Sequence, residues 1–515
     1  MTTVDIPSDQ FIGTGALLES INPATGEIIA RVMVADKAAV CAAVKRAEAA
    51  QLQWHQQPLR ERIRVLRRAR NVMLDDMDSL AALITQEQGR PATEALLTEL
   101  APAADLITYY TARAGRMLAD EHLSLHFFPH RRSTIHYHPI GVIGIIAPWN
   151  FPFVQPLSEI VCALLAGNAV IFKPSELTPL VGQALADLFY AAGLPHDVLQ
   201  VVQGGGATGA ALVEAGVGKI CFTGSTGTAK KILAQAATTL TPVICELGGK
   251  DPLLVFDDAD LDRAADAAVW GSFTNAGQVC ASVERVYVHR KVAEQFTQKV
   301  TERTQRLRLG NAFNTHAIDM GPMTSDKQRD VVERHIADAL ARGATIVAGG
   351  KRPQSEATNT NGYFYEPTIL TNVPQDAAVM QEETFGPVLP IIIFDTDDEA
   401  IRLANDSSFG LNAYIFSRNT ARANQIAQRI ATGSVIINDS LVSYGIPETP
   451  WGGVKQSGMG RIHWGEHGLR EYCNAQHIMQ ERFRPLRREL WWYPYSSQRY
   501  LRLRRVLKAF FRRGE

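Results

Sequence analysis

The 515-residue sequence predicts an α/β protein built from two α/β units that face each other across a cleft. Three observations lead there. Short apolar runs alternate with helical stretches from about Gly141 onward, a second alternation of the same kind begins near Asp251, and the Gly248-Gly249 pair of "ELGGKDP" stands at the join, where glycine would let the backbone cross between units.

Taken in order, residues 36 to 120 carry apolar residues at three-and-four spacing, with Ile63, Leu66, Met73 and Leu74 as examples, and predict helices. The runs "VIGIIAPW", "AVIFKPS", "LQVVQ" and "KICFTGS" predict strands, and "LTPLVGQALADLFYAAG" and "TGTAKKILAQAAT" the helices between them. That alternation predicts a parallel sheet with a ligand crevice at the carboxyl ends of its strands. The second stretch supplies the strand "RVYVHR", a helix from Lys327 to Arg342, the segments "YFYEPTIL" and "VLPIIIF", and a helix from Asp398 to Asn405.

Composition narrows the function. With 52 Lys+Arg against 53 Asp+Glu the net charge is -1, which gives no overall reason to bind nucleic acid. The six cysteines (Cys41, Cys162, Cys221, Cys245, Cys280 and Cys473) lie far apart, as expected of reduced thiols in a cytoplasmic protein rather than a disulfide framework. No secretory signal, membrane span or repeat is expected.

Several residues stand where chemistry is done. Cys280 in "NAGQVC" sits between a Gly-containing turn and a strand, as a small core residue or as a nucleophile at the lip of a cleft. Glu246 ends an apolar strand, where a carboxylate is costly unless used or paired and where burial raises it toward the range of a general base. Asn150, in "PWNFP", can donate an amide hydrogen bond to a developing oxyanion or cap a turn. Lys173 ends a strand in "FKPSE" and with Glu176 can reach ribose hydroxyls or form a surface ion pair. "TGSTGTAKK" opens a helix after a strand, so its N–H groups can face a pyrophosphate. Gly204, Gly206 and Gly209 fit G-x-G-x-x-G but lack the acidic partner downstream, and read as a turn into a helix. His136 and His138 share a strand face without a third ligand, so no metal site is expected.

The segments "PWNFP", "FKPSELTP", "FTGST", "ELGGKDP", "NAGQVC", "EETFGPV", "FGLNAYIF" and "PWGGVKQSGMGR" resemble, in order and spacing, the NAD(P)-dependent aldehyde dehydrogenase superfamily over about residues 20 to 475. The resemblance implies an aldehyde dehydrogenase-like fold. Its expected parts are a Rossmann-type cofactor domain (residues 1–119 and 140–247), an α/β catalytic domain (248–450), a small bridging and oligomerisation arm (120–139 and 466–482), and a C-terminal tail (483–515). It implies Cys280 as the thiol that attacks the aldehyde, Asn150 with the Cys280 N–H as oxyanion donors, and Glu246 as the base that hydrolyses the thioester. Trp149, Lys173, Glu176, Gly224, Ser225, Glu383 and Phe385 would bind the cofactor. Glu176 favours NAD, because a carboxylate accepts from a ribose 2′-OH and repels a 2′-phosphate.

The sequence departs from the family pattern at Ala229, where many members have a second glycine, and at Ile462-His463, where many have a glutamate after the arginine. Glu246 favours hydrolysis to an acid over the coenzyme A-acylating alternative, and a non-catalytic homologue would have no need of these residues together. Val279, Ala281 and Phe153 suggest an uncharged, apolar aldehyde. A homo-oligomer, dimer or tetramer, is expected.

The tail is unusual. From Arg482 onward it carries eleven Arg+Lys and two Glu, a surplus of 11 − 2 = 9, with Trp491, Trp492, Tyr493 and Tyr495 ahead of a basic amphipathic stretch. That composition fits an element in the interface of the inner membrane face, or one packed on a neighbouring subunit.

Overall fold

A computed structural model describes residues 15–313, 315–354, 358, 361–483, 489 and 491–512. The chain divides into two compact units, Met1–Leu118 with His138–Asn474, and Ala119–Tyr137 with Ala475–Glu515.

In the larger unit the N-terminal helices are Lys37–Gln56, Leu59–Asp75, Met77–Gln88 and Ala101–Met117. Leu66 and Met73 are buried as expected, whereas Leu74 is exposed, because three-and-four spacing places it off the stripe that Val65, Leu66, Ala69 and Met73 bury.

A six-stranded sheet runs in the spatial order Gly458–Met459, Val243–Glu246, Lys219–Thr223, Val142–Ile146, Ala169–Lys173, Leu199–Val201. All its neighbours pair in parallel except the first, antiparallel strand. Its four longest strands are near-continuous apolar runs because helices cover both faces: Ile143 and Ile145 enter one hydrophobic cluster, Val142 and Ile146 another. From Val142–Ile146 the chain winds outward to Leu199–Val201, then returns to the opposite side at Lys219–Thr223. The topological switch therefore lies beside the loops that follow Ile146 and Thr223, where an α/β sheet opens a crevice.

A seven-stranded sheet follows, in the order Thr345–Ala348, Thr368–Thr371, Val388–Phe394, Val283–His289, Asp251–Val255, Asn412–Phe416, Ser434–Ile437. Only its Thr345–Ala348 edge is antiparallel. Of "YFYEPTIL", only the end forms a strand.

Glu121–Leu123, Arg131–Pro139 and Cys473–Glu481, most of whose residues belong to the smaller unit, form a three-stranded sheet, the first two pairing antiparallel. The helix Ser497–Phe511 follows, its first turn capped by Ser496, whose hydroxyl accepts from Arg499 N. Of the tail's charges, Arg484, Arg487, Arg488, Arg513 and Glu515 lie outside the described residues. No helix among the described residues is long and apolar enough to cross a membrane.

Candidate active site

Cys280 closes a loop built on unusual backbone. Asn275 (φ 52°), Ala276 (φ 53°) and Gly277 (φ 74°) lie successively in the left-handed region, which non-glycine residues adopt only where surrounding contacts hold them. Those contacts are present: Asn275 N donates to Glu94 Oε2 at 2.9 Å, its side chain donates to the Asn150 and Gln278 carbonyls, and Gln278 Oε1 accepts from Thr324 N. A Cβ on Gly277 would lie 2.2 Å from Gly386 O, so glycine lets this loop press on the segment that carries Glu383 and Phe385.

At the Gly248-Gly249 pair the chain passes from Val243–Glu246 of the six-stranded sheet to Asp251–Val255 of the seven-stranded one. Neither residue has positive φ; what requires them is close approach. A Cβ on Gly248 would meet the Glu383 carboxylate at 2.3 Å, and one on Gly249 the Cys280 carbonyl at 2.3 Å. Gly249 N also donates to Glu383 Oε1 at 3.1 Å. Behind this segment Glu284 accepts from Thr384 N at 2.8 Å and Phe385 N at 2.9 Å, and pairs with the buried Lys250 ammonium, which donates to Thr384 Oγ1. Phe385 then stands edge-on to Trp149, centroids 5.3 Å apart.

Asn150 is buried, and its side-chain amide donates to the Gln278 carbonyl at 3.2 Å, toward the cysteine loop. Its own carbonyl accepts from Gln88, Arg90 and Asn275 side chains. Arg90, paired with Glu99 at 3.5 Å with both side chains fully buried, ties this loop to the start of the helix Val154–Ala166, whose Val154 N donates to Glu99 Oε2.

Two cavities meet at Cys280. One, of about 320 Å³, is lined by Trp149, Asn150, Gly224, Ser225, Glu246, Cys280, Glu383 and Phe385 among others, which brings together eight of the ten candidate residues. Lys173 and Glu176 do not line it; Lys173, buried at the end of its strand, holds Glu176 at 3.3 Å. Burial lowers the Lys173 ammonium's affinity for its proton while Glu176 raises it. None of Gly204, Gly206 and Gly209 lines the cavity, and a Cβ on Gly204 (φ 146°) would collide with Thr208, as a turn into a helix requires.

The other cavity, about 390 Å³, is lined by Leu97, Phe151, Trp270, Val279, Leu441 and Trp451 with others, and no lining side chain is charged. Phe153, expected near the substrate, is fully buried in the core beneath the loop; Phe151 takes that place.

The electrostatics oppose charge throughout. Burial pushes the Cys280 thiol well above its ordinary range, and Glu246, Asp251 and Glu383 add to the shift. Burial also pushes Glu246 well up, with Asp251 reinforcing and Arg461 opposing. One Glu246 oxygen, Oε1, is buried without a partner, an atom placed to hold a proton or a water. Glu383 is pushed up to about 8 by burial and by Glu284. His463 is buried and lowered to about 4, and therefore neutral, against Trp451 and Tyr444. Glu159, which sequence reasoning missed, is buried on the Val154–Ala166 helix, is pushed up to about 8, and acts electrostatically on Glu246. Its one signal in the sequence is a carboxylate inside an otherwise uncharged helix.

Residues 12–478 match the profile of the aldehyde dehydrogenase family. The chain belongs to that family. It is 40% identical over 485 residues, 94% of this chain and 89% of the relative, to 4,4'-diapolycopene aldehyde oxidase of Methylomonas sp. Among solved structures, the NAD+ complex of aldehyde dehydrogenase from Bacillus cereus is 34% identical with a TM-score of 0.86, covering 91% of this chain and 94% of that one. An Escherichia coli enzyme described as NADP dependent is 36% identical with a TM-score of 0.86, covering 91% and 95%. The expected fold class, an α/β aldehyde dehydrogenase fold, therefore holds, and the chain is an oxidoreductase acting on aldehydes.

Proposed function

We propose that this aldehyde dehydrogenase oxidises an elongated, apolar aldehyde to its carboxylic acid with NAD. The observation that carries the reading is the position of Cys280, where an uncharged apolar cavity meets a polar one holding Glu246 and Glu383.

The polar cavity fits a dinucleotide. Trp149 and Phe385 offer flat apolar surface, Gly224 and Ser225 open the helix Thr226–Ala236, and Glu383 offers a carboxylate for ribose hydroxyls. Glu176, half exposed beside Lys173, favours a 2′-OH over a 2′-phosphate. When bound, NAD supplies the hydride acceptor.

This chain's residues do the rest. The Cys280 sulfur, losing its proton, bonds to the aldehyde carbon, and the oxygen that becomes anionic is held by the Asn150 amide and the Cys280 N–H. Loss of the hydride from that carbon collapses the oxyanion and leaves the acyl group on sulfur as a thioester. Glu246 takes a proton from water, the hydroxide adds to the thioester carbon, and the carbon–sulfur bond breaks to release the acid, the proton held by Glu246 returning to the departing sulfur. The relative's name, which specifies an aldehyde of 4,4'-diapolycopene, agrees with an apolar cavity.

We further propose a homo-oligomer, supported by the edge strand Cys473–Glu481, which leaves Ile478 and Met479 exposed. Light scattering of the purified chain reads its mass directly; a monomer at micromolar concentration contradicts it.

NADH formation across a panel of short, aromatic and long-chain aldehydes, without coenzyme A, tests the reading. kcat/KM should rise with apolar length, and NAD should outperform NADP, with Glu176→Gln narrowing the difference. Preference for charged semialdehydes, or turnover only with coenzyme A, would overturn it.

A further inference from the structure

In the helix Ser497–Phe511 the residues Tyr500, Leu503, Val506, Leu507, Phe510 and Phe511 fall on one arc roughly 140° wide at about 100° per residue, interrupted in the first turn by Arg499, and Arg502, Arg504, Arg505 and Lys508 fall on the rest with Leu501. The helix contains no acidic residue. Phe510 and Phe511 touch Phe127, at 5.4 and 5.9 Å between centroids, yet the apolar arc is not covered: Tyr500 is 66%, Val506 53% and Phe511 64% exposed. Ahead of the helix Trp492, Tyr493 and Tyr495 are also exposed, and Trp491 packs edge-on to Phe128 within the same unit. An apolar arc of this size left in water, framed by cations, is a surface built for an occupant.

We propose that this helix and the aromatics before it dock on an anionic phospholipid bilayer, as a peripheral attachment. Charge decides between occupants. A second copy of the helix would bring like-charged arginines to the contact, whereas anionic headgroups attract them and the acyl boundary takes the apolar arc. Trp492, Tyr493 and Tyr495 have the amphipathic rings that favour headgroup depth. The attachment goes beyond the catalytic reading and does not depend on it, although an apolar aldehyde dissolved in lipid is the substrate such a site would serve.

The full chain is sedimented with vesicles of phosphatidylglycerol and phosphatidylcholine and with vesicles of phosphatidylcholine alone. The expected result is binding at least roughly tenfold tighter to the anionic vesicles, lost at high salt and in the exposed-residue variant Arg502→Glu/Arg505→Glu/Lys508→Glu. A second variant, Val506→Ser/Leu507→Ser, should weaken binding while keeping NADH formation with a soluble short aldehyde. Equal binding to both vesicles, no binding, or unchanged binding by the charge-reversed chain would overturn the proposal. So would a fall in oligomer mass in either variant, which would assign the arc to a second copy. Because sedimentation needs no turnover, its failure is distinct from failure of the catalytic reading.

Discussion

Cys280 and Glu246 share surroundings that disfavour charge on either, so burial favours the protonated form of both the thiol and the carboxyl. In the proposed mechanism both lose a proton to act, and both are shifted upward, so turnover should increase as pH rises from neutral into the alkaline range. A pH–rate profile of kcat checks this, and a profile falling over that range would contradict it. At Glu159 the same physics bears on stability. Its carboxyl is raised to about 8, whereas the unfolded chain titrates it near the ordinary carboxylate value of about 4.5. The folded state then binds more protons than the unfolded one, so this contribution is present below that ordinary value and is lost as pH rises through about 8. Glu159→Gln should therefore flatten the decline of melting temperature between about pH 5 and about pH 8. A decline equally steep in the variant would count against a buried, proton-holding Glu159.

Among the elements, the segment from Glu383 to Phe385 owes its place to partners far away in sequence. Glu284 holds two of its amides, Lys250 its threonine hydroxyl, and Gly248, Gly249 and Gly277 allow contact without a side chain between. Gly277→Ala puts a Cβ into Gly386 O at a positive φ and should destabilise by on the order of 2 kcal/mol, read as a drop in melting temperature with reduced turnover. Glu284→Gln keeps the shape but weakens its charge-assisted bonds, so KM for NAD should rise severalfold with a smaller change in kcat; an unchanged KM would show that the anchor does not matter. These supports explain what was legible in advance. The strands Val142–Ile146, Ala169–Lys173 and Lys219–Thr223 announce themselves because burial on both faces demands unbroken apolar runs. Motifs such as "NAGQVC" and "ELGGKDP" mark loops whose chemistry is local. Arg90, Glu94, Glu99 and Glu284 were illegible, because a buried charge is explained only by the partner the fold delivers, and no local pattern names that partner. The Gly248-Gly249 pair marks the crossing between the two sheets in the sequence, but the close approach it allows to Glu383 and Cys280 depends on partners that only the fold supplies.

For the whole molecule, buried carboxylates that resist ionisation are a recurring theme: Glu383 is raised to about 8, and Glu87, Glu94 and Glu99 to about 7, each by desolvation first. With every shift upward, stability summed over these groups should fall as pH rises through the range from about 7 to about 8, and recover on acidification toward the ordinary carboxylate value. Urea unfolding at a series of pH values tests this, a midpoint that climbs over that range being the contrary result. The proposed mechanism divides the labour where the two cavities meet at Cys280, the thiol forming the covalent intermediate and Glu246 releasing it. Intact-protein mass after mixing enzyme, NAD and a long-chain aldehyde tests that claim most directly. Glu246→Gln should release about one NADH per active site, retain the acyl mass on the protein, and turn over roughly a hundredfold or more slowly, while Cys280→Ala should show neither NADH nor adduct. An adduct that forms on Cys280→Ala, or a Glu246→Gln variant that turns over freely without accumulating acyl-enzyme, would contradict it.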